Sequence, residues 1–199
     1  VTRKIEIYDT TLRDGAQMRD ISFSVNDKLR ILEILDDLGI SYVEGGWPGA
    51  NPKDVDFFEI AKTLNLKNTK LTAFGSTRKA NTKVHEDPIL HALLRADTEV
   101  ICIVAKSSAW QVSNTMKASL EENLAMLHES CTYLKSQGRE VFIDAEHFFD
   151  GYNFNSQYSE SFINTAIEAG ADRMILCDTN GGSLPESVFH ITKQLVERF

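Results

Sequence analysis

Six short, β-rich apolar runs alternate with capped helical patterns, and their starts recur roughly every 30–40 residues, the length of a βα unit. Unusual polar residues follow most of the runs. Together these observations predict an α/β fold with a parallel sheet covered by helices. Two architectures satisfy the alternation. An open doubly wound sheet gathers ligands at one switch point, whereas a closed (β/α)8 barrel of the TIM type turns every strand end toward one mouth. Here Arg13-Asp14, Glu44, Ser76-Thr77-Arg78, Lys106-Ser107, Glu146-His147 and Asp178-Thr179-Asn180 follow successive strands, which favours the barrel. A full barrel needs about 250 residues. The 199 residues hold six units, so the expectation is the first six βα units of a TIM-type barrel, a single segment over 1–199. The first and sixth strand edges would then lie unpaired.

The elements follow in order. Lys4–Asp9, with Ile5-Glu6-Ile7 at its centre, reads as the first strand. Ser24-Val25-Asn26-Asp27 fits a capping box and opens a helix. On it Leu29, Leu32, Leu35 and Leu38 line one side, with Asp27, Lys28, Asp36 and Asp37 expected mostly elsewhere. Gly39, Gly138 and Gly170 stand where a left-handed residue ends a helix. Tyr42–Gly45 is the second strand, followed by an irregular Pro48–Pro52. Lys70–Phe74 is the third, and Asp87-Pro88 places proline at a first helical position. After the fourth strand, Val100–Ala105, Ser119-Leu120-Glu121-Glu122 fits a second capping box. Leu120, Leu124, Leu127, Cys131 and Leu134 form the stripe of that helix. Glu140–Asp144 is the fifth strand, followed by an irregular Asp150–Gln157. Arg173–Cys177 is the sixth, and Ser183-Leu184-Pro185-Glu186 fits a third capping box.

Net charge of −8 argues against nucleic acid and anionic membranes as partners, but says nothing against small anions, which respond to local charge. The apolar runs are too short to span a bilayer, and no secretory leader pattern opens the chain. Val1 stands where Met would, which suggests a trimmed start. Cys102, Cys131 and Cys177 are odd in number with no CxxC spacing, so reduced, buried thiols in the cytoplasm are expected.

Arg13-Asp14 sits between a strand end and Gly15. A hard metal ion wants the carboxylate oxygen, and a substrate oxyanion wants the guanidinium fork. A surface ion pair beside a tight turn is the competing interpretation, weakened by the polar company of Asp9, Thr10, Thr11 and Gln17. Glu44 precedes Gly45-Gly46, where backbone can approach a ligand closely; no nucleotide fingerprint is present. Alternation puts Asp144 and Glu146 on one side of the fifth strand, with His147 adjacent. Such a pair suits acid–base work or ligand orientation. Asp178 and Thr179 enter a turn at Asn180-Gly181, ahead of a helix N-terminus that favours anions. His85, His91, His128 and His190 show no metal-ligand spacing; Trp47 and Trp110 suit packing or a pocket wall.

Asp9-Thr10-Thr11-Leu12-Arg13-Asp14-Gly15 resembles the signature of the metal-dependent TIM-barrel family of 2-isopropylmalate, homocitrate and citramalate synthases, shared by hydroxymethylglutaryl-CoA lyases. Glu44-Gly45-Gly46-Trp47-Pro48-Gly49, Ala73-Phe74-Gly75-Ser76-Thr77-Arg78, Asp144-Ala145-Glu146-His147-Phe148-Phe149-Asp150-Gly151-Tyr152 and Cys177-Asp178-Thr179-Asn180-Gly181-Gly182 are similar to the citramalate synthase branch. The resemblance implies a Claisen-type condensation of acetyl-CoA with an α-keto acid, pyruvate first, in branched-chain amino-acid biosynthesis. It implies a divalent metal (Mg, Mn or Zn) held by Asp14, with Gln17 beside it and Asp178 supporting. It makes Arg13 and Glu146 catalytic and has Arg13, Glu44, Glu146 and Thr179 meet substrate. The family's remaining metal ligands, a His-x-His pair on the seventh strand, would lie beyond Phe199. The isolated catalytic segment is therefore expected to be inactive, with the last two units and any regulatory domain absent. Small-molecule substrates and a homodimer of the full-length protein complete the expectation. The alternatives are a 2-isopropylmalate or homocitrate synthase, a carbon–carbon lyase of the hydroxymethylglutaryl-CoA type, and a non-catalytic anion-binding module.

Overall fold

The computed structural model describes residues 5–199; Lys4, the expected start of the first strand, lies outside the described residues. Six strands, β1 (Tyr8–Asp9), β2 (Tyr42–Gly46), β3 (Lys70–Ser76), β4 (Val100–Lys106), β5 (Glu140–Glu146) and β6 (Arg173–Leu176), form one sheet in chain order. Every pairing is parallel. The helices are α1 (Val25–Asp37), α2 (Pro52–Ala61), α3 (Pro88–Ala96), α4 (Ala109–Gln111), α5 (Leu120–Ser136), α6 (Phe148–Phe154), α7 (Ser156–Glu168) and α8 (Pro185–Arg198). A π-helical turn, Val112–Met116, joins α4 to the approach of α5.

The sheet is curled as in a barrel. In a flat sheet β1 and β5 would stand four spacings, about 19 Å, apart. Instead Tyr8 packs on Phe142 with ring centroids 5.8 Å apart, and Arg173 at the start of β6 reaches Glu6 at 3.0 Å. Among the described residues β1 and β6 do not pair with each other, so the six strands form an open barrel segment. The concave side carries Tyr8, Tyr42, Phe74, Cys102 and Phe142. The convex side carries Val43, Ala73, Ile101, Ile103, Val141 and Ile143 against Leu32, Phe57, Phe58, Leu90, Leu93, Leu127 and Phe162 of the helices. At the N-terminal ends of the strands Lys70 bridges Glu99 and Glu140, and the Tyr42 hydroxyl reaches Glu140, so charge closes that end of the bowl. The mouth is at the other end.

Most element starts match their local chemistry. Ser24 and Asp27 form the reciprocal box, Asp87 caps α3 with Pro88 behind it, and Gly39, Gly138 and Gly170 all have positive φ. Five expectations change. The first strand covers only Tyr8–Asp9; Ile5-Glu6-Ile7, expected at its centre, lies outside it with Ile5 and Ile7 exposed, because these side chains meet no helix among the described residues. Ser119 accepts the Glu122 N–H, but the Glu122 carboxylate goes to buried Arg78, so that box is half made. Ser183 gives its hydroxyl to Asp178, and α8 starts behind Leu184 with no side-chain cap. The stretch Asp150–Gln157 is helical except at Asn155, whose side-chain amide oxygen accepts the Tyr158 N–H and caps α7. Finally, Lys28 and Asp36 of α1 are buried while Leu38 is exposed. The 3.6 period places side chains around the helix but does not reveal polar partners from another element.

Asp36 shows such a partner at work. Its carboxylate accepts the backbone N–H groups of Lys67, Asn68 and Thr69 at 2.8–3.1 Å, fixing the entry to β3. Burial pushes this carboxyl up, but the N–H bonds outweigh it and hold it below the ordinary carboxylate value. Its stabilisation is therefore present above the unfolded value, about 3.9, and is lost as pH falls through the folded one. Asp36→Ala is expected to cost about 3 kcal/mol at pH 7. Urea titrations should show the gap from wild type shrinking as the pH drops to about 3; a gap independent of pH would contradict the ionic acceptor.

Candidate active site

The first two turns of chain at the mouth are shaped by their smallest residues. On β2 the register slips between Glu44 and Gly46, a bulge opposite Ala73. A Cβ on Gly45 would strike Phe57 and Leu71, and Gly46, at φ +148°, has the Asp54 carboxylate 2.5 Å from where its Cβ would stand. Glycine is required at both. The bulge shifts the alternation by one residue, so Glu44 and Trp47 both turn into the bowl. After β1, Asp9 accepts the Thr11 N–H and hydroxyl, and the Arg13 and Gly15 N–H groups both return to the Thr10 carbonyl. This tight turn presents Arg13, Asp14 and Gln17 to the same space.

That space is a cavity of about 610 Å³ at the C-terminal ends of the strands. Arg13, Asp14, Gln17, Glu44, Glu146, Asp178 and Thr179 all line it, and so do Asp144, Cys177, Tyr8, Trp47, Phe74, Val104 and Ile175. All seven residues proposed from sequence therefore share one basin.

Arg13 is held from three sides. Its Nε–H donates to Glu44, its Nη1 lies 3.0 Å from Asp14, and its guanidinium carbon sits 3.9 Å over the Phe74 ring. Burial works against the Arg13 charge, but the hydrogen bond and charge of Glu44, together with the charges of Asp14 and Asp144, more than offset it, and the group stays cationic. Glu44 is almost wholly enclosed. Its second oxygen accepts the Tyr8 hydroxyl at 2.9 Å, so both oxygens of Glu44, expected to meet substrate, are engaged by protein groups. Burial pushes the Glu44 carboxyl above its usual range despite Arg13 and Tyr8, and Asp144 adds to the rise.

Across the bowl, Asp144 takes the Cys177 thiol proton in a hydrogen bond, and burial raises its carboxyl, with Glu146 and Asp14 pushing the same way. The Cys177 thiol is itself driven far up by burial and by Asp144, so it is no thiolate nucleophile. Cys102 and Cys131 are buried. Glu146 pairs with Lys106 at the next strand end. The Thr179 hydroxyl accepts the His147 N–H at 2.8 Å, which leaves its own proton free to donate. Asp178 accepts both the N–H and the hydroxyl of Ser183, at 3.0 and 2.9 Å, and so holds the 178–183 turn. His147 pairs with Asp150 rather than entering the basin. Arg78 leaves the mouth altogether for Glu122 and Glu129.

The basin has five carboxylates against one guanidinium, and the donors are oxygens, which suits a hard divalent cation. Asp14 is its exposed carboxylate beside Gln17. No group of three His, Cys, Asp or Glu side chains arranged to hold a metal occurs among the described residues. The described residues thus present oxygen donors of suitable chemistry without a closed metal site.

The HMGL-like family model matches residues 4–199. The chain belongs to that family. It is 55% identical over 199 residues to the (R)-citramalate synthase of Aquifex aeolicus, covering 100% of this chain and 38% of that protein. It is 50% identical over 195 residues to the (R)-citramalate synthase of Sulfolobus acidocaldarius, covering 98% of this chain and 37% of that one. The chain thus spans under two fifths of the length of these curated relatives. Among solved structures, the HMG-CoA lyase of Bacillus subtilis superposes with a TM-score of 0.76 at 18% identity, over 100% of this chain and 66% of that one. The shared architecture places this HMGL-like member among the TIM-type barrels, and its basin at the face where such barrels bind substrate. No helix among the described residues is long and apolar enough to cross a membrane.

Proposed function

We propose that the protein to which this segment belongs condenses acetyl-CoA with pyruvate to give citramalate and free CoA, as a cytoplasmic, homodimeric enzyme of isoleucine biosynthesis. The observation that carries the proposal is Arg13 held rigid by Glu44 and Phe74 in the same basin as Asp14, Glu146 and Thr179, in a chain 55% identical to an (R)-citramalate synthase. A divalent ion held by Asp14, with further ligands from beyond Phe199, would supply Lewis acidity and a template for the keto acid. The other roles fall to this chain's residues.

In the condensation the acetyl methyl group loses a proton and its carbon bonds to the keto carbon, while negative charge gathers on the keto oxygen. Hydrolysis of the thioester then releases CoA. Arg13 is oriented to meet the oxygen as its charge grows, with no reorganisation needed at that moment. The Thr179 hydroxyl donates to the keto-acid carboxylate. Glu146, on β5 across the bowl from the β1 turn, is placed to hold or move a proton at the acceptor. Gln17 and Asp178 support from either side.

A CoA-release assay on the full-length protein tests this. Pyruvate is expected to be turned over in preference to 2-oxoisovalerate and 2-oxoglutarate, a chelator to abolish release, and residues 1–199 alone to show none. Cleavage of hydroxymethylglutaryl-CoA without condensation, or no turnover with pyruvate, would overturn the proposal.

A further inference from the structure

Among the charged side chains lining the basin, Glu44 alone is fully buried, and its two oxygens have separate partners. Oε1 accepts the Arg13 Nε–H and Oε2 accepts the Tyr8 hydroxyl at 2.9 Å. Tyr8 is fixed in turn from the barrel floor. Its ring packs against Tyr42 and Phe142 with centroids 6.3 and 5.8 Å away.

We propose that Tyr8 is a positioning residue for the condensation described above: acting through Glu44, it sets the direction in which Arg13 faces the basin. The inference rests on that reaction for its catalytic meaning, but the geometry stands without it. A carboxylate gripping a guanidinium through one oxygen can pivot about that contact. A phenol on the second oxygen removes the pivot and ties Arg13 to the rigid aromatic floor. Phe74 then fixes the plane of the guanidinium from its other side.

Charge makes the phenol matter further. Glu44 must stay ionised to hold Arg13. The groups facing it are Tyr8 from β1, Arg13 from the following turn, Cys102 from β4 and Asp144 from β5. Burial and Asp144 favour the protonated carboxyl; Arg13 and Tyr8 favour the carboxylate. The phenol keeps its own proton, because burial, Cys102 and Glu44 push its ionisation well above the ordinary value. Losing the Tyr8 hydroxyl therefore moves Glu44 toward protonation at a higher pH.

The test is Tyr8→Phe in the full-length protein, with 3-fluorotyrosine at position 8 as a second variant that keeps the ring and strengthens the donor. For Tyr8→Phe, kcat with pyruvate is expected to fall about threefold to tenfold with the pyruvate KM within twofold, and the acid limb of kcat/KM to move up by about half a pH unit or more. The fluorinated variant should move that limb down. A profile superimposable on wild type for both variants, or a change confined to KM, overturns the proposal. Should wild type fail to condense acetyl-CoA with any keto acid, the proposed reaction falls, and a second readout still decides the positioning. That readout is the ¹³C titration of the Glu44 carboxyl and the Arg13 Nε–H resonance. Tyr8→Phe must raise the first and broaden the second; if neither moves, Tyr8 does not position Arg13.

Discussion

Arg13→Lys is expected to lower the turnover of pyruvate by about 10²–10³-fold while leaving the fold intact. Lysine keeps the positive charge, so any argument from net charge alone predicts a small effect. The structure argues otherwise. Arg13 uses Nε for Glu44 and Nη1 for Asp14 while its flat face rests on Phe74, and only a planar fork does all three at once. A lysine ammonium would settle on Glu44 or Asp14 as a point charge and would have no fixed aim at the keto oxygen. The loss should appear in kcat more than in the pyruvate KM, because the missing interaction grows in the transition state. Circular dichroism and the melting temperature should stay near wild type. A kcat within about threefold of wild type would remove Arg13 from the role proposed for it.

The acid side of the activity profile is expected to report the same cluster. Glu44 and Asp144 are both raised, chiefly by burial, so they take up protons before ordinary carboxylates do as pH falls. For stability these two act opposite to Asp36. A carboxyl whose folded value is raised favours the fold below its unfolded value and loses that contribution as pH rises through the raised one. The basin therefore weakens the fold at the pH where Arg13 and Glu44 are both charged. Such a trade is characteristic of a site arranged for charge rather than for stability.

The features legible in the sequence are those written in local chemistry. Ser24, Asp87, Gly39, Gly138 and Gly170 each act within a few residues of their own position, and each does what its type and spacing implied. Strands two to five emerge in order because each of their apolar runs buries one face under a helix, whereas the first run, Ile5-Glu6-Ile7, stays exposed and leaves only Tyr8–Asp9 as strand. Much of the membership of the basin is legible too, because a parallel barrel sends every strand end to the same side, although Ser76-Thr77-Arg78 and Lys106-Ser107, which follow the third and fourth strands, do not line it. Long-range pairings left no local mark. Phe74 reads as strand core, yet it carries the Arg13 guanidinium; Lys106 reads as a strand-end charge, yet it takes Glu146. The β2 bulge was hidden for a related reason. Two glycines announce freedom of the backbone, but only the register against β3 shows that the alternation slips and brings Trp47 inward.

The costliest pairing of this hidden kind is Lys28 with Asp54. Nζ lies 2.5 Å from Oδ1, the two residues are 3% and 6% exposed, and the ammonium also faces the Phe57 ring at 4.9 Å. The other Asp54 oxygen accepts the Trp47 N–H at 2.8 Å, directly under Gly46. The pair thus clamps α1 to α2 and fixes the loop that carries Trp47 into the basin. Lys28→Met should destabilise the protein by about 3–5 kcal/mol, since Asp54 would keep a buried charge with its cation gone. Asp54→Leu should cost at least as much, because it also strands the Trp47 N–H and the Lys28 ammonium. The double variant Lys28→Met/Asp54→Leu is expected to recover much of the loss, as two apolar side chains leave no charge to bury, and to fall short of wild type by roughly the unmet Trp47 N–H, about 1–3 kcal/mol. Urea unfolding of the four proteins gives the cycle directly. If the single variants are each within about 1 kcal/mol of wild type, the ion pair does not hold the loop. If the double variant loses the sum of the two, the charges were not stabilising one another. Activity in the double variant separates clamp from chemistry: with stability restored, a persistent fall in turnover would trace to the position of Trp47, since neither Lys28 nor Asp54 lines the basin.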